Sequence, residues 1–239
     1  MDFATLTWLG LGFALGLVHA FDADHVMALS VFASRGRARA HGMNAGLRAG
    51  LRWSLGHGVV LVGAGCCLLF LGRALPAEFA LAAERGVGGL MIALGVWTFS
   101  ELIRYRGHLH FHEHGGYAPH AHWHSHEEDS SHLTKGLAHH HPDHHHEHTP
   151  LFVGGLHGLA GSAPILAVLP AATRSPLLGV LYLLLFALGV SLAMAAVSGA
   201  LGHFAGRLQE RHDKRGLAGL RVLSGTGSIA LGVWMLVFV

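Results

Sequence analysis

Six stretches of this chain are apolar over nearly the length of a bilayer crossing. They run approximately over 3–32, 53–73, 86–104, 151–171, 176–202 and 217–239. A helix needs about 20 mainly apolar residues to cross the hydrocarbon core. The expected fold is therefore all-α, a polytopic membrane protein with six transmembrane helices. Charge content agrees. Asp, Glu, Lys and Arg make up 13% of the 239 residues, against about 25% in soluble domains, which excludes an ordinary cytoplasmic enzyme. The first stretch is long for one crossing and polar at its inner end. The fourth is glycine-rich and contains Pro164 and Pro170, so a broken or kinked helix is predicted there.

Val18-His19-Ala20 loosely resembles a signal-cleavage site. The residues before it include Asp2 and no Lys or Arg, the wrong charge for a cleaved signal. Cys66 and Cys67 are adjacent within an apolar run. They build neither a disulfide framework nor a spaced zinc site, and are read as small packing residues.

Basic residues set the expected orientation. Arg35, Arg37, Arg39, Arg48 and Arg52 follow the first span, and Arg207, Arg211, Lys214, Arg215 and Arg221 follow the fifth. Both loops are placed in the cytoplasm, and both termini outside. The long segment 105–150 is then cytoplasmic by alternation. Short basic clusters flanking apolar segments mark a lipid bilayer as a partner and exclude nucleic acid.

The string Ile-Ala-Leu-Gly-Val-Trp occurs at 92–97 and again at 229–234. At a closely similar spacing His19-Ala20 meets His157-Gly158, and Leu55-Gly56 meets Leu188-Gly189. Three landmarks in matching order predict a duplication: residues 1–104 as the first three-helix repeat and 151–239 as the second. Three spans per unit is an odd number, so the halves insert with opposite orientation. Such inverted repeats recur in secondary transporters, with the substrate site near the midplane. A duplicated helix bundle that transports nothing is the bland alternative.

His19-Ala20-Phe21-Asp22-Ala23-Asp24-His25 interrupts the first apolar span. A carboxylate at mid-helix costs about 2.5–3.5 kcal/mol on insertion scales, and a bound cation offsets that cost directly. At about 100° per residue, His19, Asp22 and His25 share one helix face, and Asp24 lies on the other side. Asp24 then either orients a neighbour or joins the set once the helix unwinds. A plain His–Asp hydrogen-bonded network is the competing reading. His57, between Gly56 and Gly58 in the second span, is expected to complete the set. His157 occupies the repeat position of His19, while Ser162 stands where the first half has Asp24. Imidazoles with carboxylates and no thiolate suit Ni²⁺, Co²⁺, Zn²⁺ or Cu²⁺ over Mg²⁺ or Ca²⁺.

At these residues the sequence resembles the nickel/cobalt transporter family, the nickel–cobalt permeases with their shorter urease-accessory and efflux-like relatives. The family's signature of a His, four residues, then Asp-His is met by His19 through Asp24-His25, within the fuller His-Ala-x-Asp-Ala-Asp-His form. A second motif, Gly-His on the next helix, is met by Gly56-His57. Val18 stands where longer permeases carry an Arg, and the last three spans lack their acidic motifs. Six spans match the short branch. The motifs cover the first two spans, and architecture alone matches the rest. The resemblance implies that His19, Asp22, Asp24, His25 and, less directly, His57 select and carry the metal, with nickel or cobalt as cargo and zinc also compatible. No prosthetic group is expected.

Residues 105–150 hold 16 of the 23 histidines. Eight alternate from His108 to His114 and from His120 to His126; His139–His141 and His144–His146 follow. By composition this is a metal-binding tract, too poor in apolar residues for a core and expected to be disordered without metal. It suits ion collection, storage or sensing near the cytoplasmic mouth.

The leading reading is a secondary transporter of divalent nickel or cobalt in the bacterial inner membrane, and not an enzyme. The chain has no phosphate-binding Gly-x-x-x-x-Gly-Lys-Ser/Thr motif with which to burn ATP. Two other classes compete: an accessory protein that delivers metal to a metalloenzyme, with a cytoplasmic metallochaperone as partner, and an intramembrane metallohydrolase. The last lacks a His-Glu-x-x-His pattern.

Overall fold

The computed structural model describes residues 2–35, 42–71, 77–104, 108–112, 120–124, 149–160, 175–211 and 213–238. Helix α1 (Phe3–His19) starts at Asp2, whose side chain caps the backbone N–H of Thr5 at 3.1 Å. Then come α2 (Ala23–Arg35), α3 (Met43–Leu71), α4 (Ala77–Arg104), the strands β1 (His108–His112) and β2 (His120–His124), α5 (Thr149–Ala160), α6 (Pro176–Glu210) and α7 (Lys214–Phe238).

By length and composition α3, α4, α6 and α7 are each able to cross a membrane. The first apolar stretch, expected as one helix, is two. Helices α1 and α2 qualify as a span only together, bent by 53° at a short break. The aspartates explain the break. A carboxylate is poorly placed inside an apolar helix but well placed at a helix N-terminus, where it complements unpaired N–H groups and the dipole. Asp22 immediately precedes α2, and its carbonyl accepts the Val26 N–H at 3.1 Å; Asp24 lies in the first turn. The other spanning helices outrun their apolar windows, with α3 beginning at Met43 and α6 ending at Glu210. Of the fourth stretch, α5 supplies 12 residues. Its continuation, with Ser162, Pro164 and Pro170, lies outside the described residues, so the break expected there does too.

The surface supports a lipid environment. Phe3, Leu55, Val59, Phe70, Leu223 and Phe238 are all more than half exposed. Trp53, Leu61, Met91, Tyr182, Phe186 and Met194 fill the interior. Without a hydrophobic drive between helices, close backbone approach holds a membrane bundle together.

Glycines supply that approach in matched pairs. A Cβ at Gly16 of α1 would strike the Phe186 carbonyl of α6, and one at Gly154 of α5 would strike the Trp53 carbonyl of α3. Gly189 of α6 rests on the Phe13 carbonyl of α1, as Gly56 of α3 rests on that of Leu151 in α5. Between α4 and α7, Gly95 meets the Gly225 carbonyl and Gly232 meets that of Gly88. Helix α3 also runs along α6, and α2 lies against α7 and α6.

Outside the bundle, β1 and β2 pair antiparallel. His108 lies opposite His124, His110 opposite His122 and His112 opposite His120, with Leu109 opposite Trp123 and Phe111 opposite Ala121. Regular structure was not expected in 105–150. The alternating His-x-His-x-His pattern has the period of a strand, which is why these two segments pair. Most of the remaining tract lies outside the described residues.

Candidate metal site

The break between α1 and α2 brings the polar residues of the first span against α3 and α5. His19 is the last residue of α1, Asp24 and His25 open α2, His57 lies in mid-α3, and His157 is near the end of α5. His25 and His157 are each 2% exposed and His57 0%. The His25 ring centroid lies 4.7 Å from that of His19, 5.3 Å from His57 and 5.5 Å from His157. Four imidazoles from three segments of the chain thus cluster, three of them buried.

Their hydrogen bonds decide which nitrogens remain free. Since a carbonyl only accepts, His25 donates from Nδ1 to the His19 carbonyl at 3.1 Å. His157 donates from Nδ1 to the Val153 carbonyl at 2.9 Å. His19 Nδ1 lies 2.8 Å from Asp22 Oδ2. In all three rings Nδ1 is tied, which leaves the Nε2 lone pair for another partner. The buried Nε2 atoms of His19 and His157, and both ring nitrogens of His57, make no hydrogen bond among the described residues. His157 Nε2 faces Asp24 Oδ2 at 3.7 Å, too far for a hydrogen bond.

Buried polar atoms without partners are costly, and here several gather in one place. Ligand atoms of His19, His25 and His57 all lie within 4.8 Å of one another, as do those of Asp22, Asp24 and His25. An imidazole held by a carboxylate at one nitrogen and open at the other is the usual arrangement of a metal ligand with its outer support. The nitrogen-rich, thiolate-free set fits a divalent transition ion and lacks the oxygen cage that Ca²⁺ or Mg²⁺ requires.

All six residues singled out from the sequence lie together, but with changed roles. The straight-helix reading gave His19, Asp22 and His25 to one ion and turned Asp24 away. The break draws Asp24 in, the alternative that an unwound helix allowed, and keeps a ligand atom of Asp22 within 4.8 Å of those of Asp24 and His25. Asp22 has a side chain 53% exposed and braces His19; Asp24 turns inward beside His157, its side chain 23% exposed. Two aromatic neighbours escaped sequence reasoning. Trp53 stacks on His57 with centroids 5.0 Å apart, and Phe186 packs beside His19 at 5.4 Å. Trp53 precedes His57 by one helical turn, a spacing that puts both on one face. Cys66 and Cys67, half-buried and exposed, lie more than two turns farther along α3 and take no part.

A family model described as the cytochrome c biogenesis protein transmembrane region matches residues 11–234. Over 201 residues the chain is 27% identical to the urease accessory protein UreH of Bacillus sp. (strain TB-90), covering 82% of this chain and 77% of that protein. No solved structure matches.

Proposed function

This chain belongs to the family of the cytochrome c biogenesis protein transmembrane region, and from that premise we propose that it is a secondary transporter of a divalent transition-metal ion, nickel or cobalt. It lies in the bacterial inner membrane with six crossings and both termini outside. One observation carries the reading: histidines from α1, α2, α3 and α5, three of them buried, converge, with ring nitrogens of His19, His57 and His157 open.

The matched glycine contacts support two inverted halves, 1–104 and 151–239. Exchanging the halves maps Gly16 on Phe186 to Gly154 on Trp53, and Gly189 on Phe13 to Gly56 on Leu151. It maps the Gly95–Gly225 contact onto Gly232–Gly88. The histidine cluster sits where the halves meet, at a discontinuous helix, as substrate sites do in inverted-repeat carriers. His19, His25 and His57 hold the ion, Asp22 sets the orientation of His19, and Asp24 with His157 offers the next resting point. A transport site must also release its ion, so a moderate affinity is expected. The 105–150 tract collects ions at the cytoplasmic mouth, and the hairpin register supports this by pairing six histidines in three cross-strand positions.

A second reading, an accessory protein that delivers metal to an enzyme, draws on the name of the UreH relative. Flux into proteoliposomes separates the two. The purified chain is expected to carry Ni²⁺ or Co²⁺ down a gradient unaided. Deletion of 107–148 should lower the rate at scarce ion without abolishing it. Metal binding with no flux under any gradient favours delivery.

A further inference from the structure

Trp53 and Phe186 flank the histidine cluster without supplying a metal ligand. They are 0% and 2% exposed. Trp53 stacks on His57, the planes 12° from parallel, and meets His25 edge-on at 4.7 Å. Phe186 lies beside His19, and His19 lies 5.5 Å from His57. The rings thus run in the order Trp53, His57, His19, Phe186.

The two aromatics stand at different depths. Along the antiparallel pair α3 and α6, Gly50 approaches Met194 and Ser198, Gly58 approaches Ala187, and Gly65 approaches Leu183. Phe186 is therefore level with residues just past Gly58, whereas Trp53 lies five residues before it. With a rise of 1.5 Å per residue, roughly 10 Å of depth separates them, and His57 falls between. Trp53 is nearer the α3 N-terminus, with Arg48 and Arg52; Phe186 is nearer the α6 N-terminus. The two are also counterparts under exchange of the halves, since each offers the carbonyl on which a glycine of the other half rests, Gly154 and Gly16.

Trp53 carries a further mark. Its buried indole N–H makes no hydrogen bond among the described residues, whereas a buried indole N–H usually finds a partner. Packing alone holds the ring over His57, and a displaced ring would regain a hydrogen bond to water. Phe186 has no polar atom to satisfy in either position.

We infer that Trp53 and Phe186 are the two barriers of the histidine site, each controlling access from one side of the membrane. Trp53 closes the side that carries the 105–150 tract, and Phe186 closes the opposite side. With both rings in place, His25 and His57 are buried. The inference rests on the transport reading above and adds to it a pair of residues that determine sidedness.

The test uses the full chain in sealed proteoliposomes of one orientation, fixed by protease access to the 105–150 tract. Bound Ni²⁺ is stripped by EDTA placed outside or trapped inside, and the signal is assigned to the cluster by its loss in H25A. The parent should release Ni²⁺ slowly to either side. W53A should speed release at least ~10-fold on the tract side only, and F186A should do so on the other side only. W53F and F186L, which keep bulk, should behave as the parent; W53V and F186V replace the alanine variants if those fail to fold. Equal acceleration on both sides, no acceleration, or loss of bound Ni²⁺ from a folded W53A would overturn the assignment. Parent flux is scored separately. A chain that binds Ni²⁺ without net transport defeats the transport reading, whatever the sidedness of release.

Discussion

Asp22 and Asp24 differ by two positions and serve different partners. Asp22 holds His19 by Nδ1 from the half-exposed edge of the site, so its loss leaves the imidazole in place but free to turn. D22N is expected to weaken metal binding about 10–100-fold, the usual effect of losing an outer partner of a ligand, with little change in melting temperature. H25A removes a ring that lies against all three other imidazoles and should abolish tight binding; equilibrium dialysis of the purified variants distinguishes the two outcomes. The residues themselves were legible in the sequence, because histidine and aspartate are conspicuous in an apolar span. Their division of labour was not. It depends on a bend of 53° that no helical wheel contains. Trp53 was illegible for the opposite reason, since a tryptophan in an apolar run reads as core.

Helix contacts give a sharper test of the repeat than sequence similarity does. Gly16 and Gly154 make corresponding backbone contacts in opposite halves, so G16L and G154L should destabilise the bundle by similar amounts. Overpacking a tight interior costs about 1–3 kcal/mol. G63L is the control, because a Cβ there meets nothing within 4 Å, and it should leave detergent melting unchanged. Unequal damage by the first two, or equal damage by all three, would count against the symmetric packing. The sequence suggested the α4–α7 correspondence through the Ile-Ala-Leu-Gly-Val-Trp string, but the α1–α5 and α3–α6 correspondences only as isolated landmarks. Close packing needs a glycine facing a carbonyl and constrains little else, so the surrounding residues are free to differ. Spans were legible as apolar windows, whereas the extension of α3 back to Met43 includes Arg48 and Arg52, which end a window read from composition.

For the whole molecule, the proposed halves share paired glycine contacts but not chemistry. His157 is the counterpart of His19, and the second half has no aspartate to match Asp24, so all the carboxylate comes from the first half. On the proposed inverted-repeat reading, one ion position at the centre has two unlike approaches, and the histidine tract lies beyond only one of them. The tract, conspicuous as it is in the sequence, is secondary in this account; the buried cluster is primary. The measurement that bears most directly on that ranking is X-ray absorption on the detergent-purified chain lacking 107–148, loaded with a single equivalent of Ni²⁺. Bound nickel is expected with at least three imidazole nitrogens around it, at about 2.0–2.1 Å by analogy with zinc, and that shell should be lost in H25A and H57A. Nickel that fails to bind once the tract is gone, or a nitrogen shell that survives both substitutions, would contradict it.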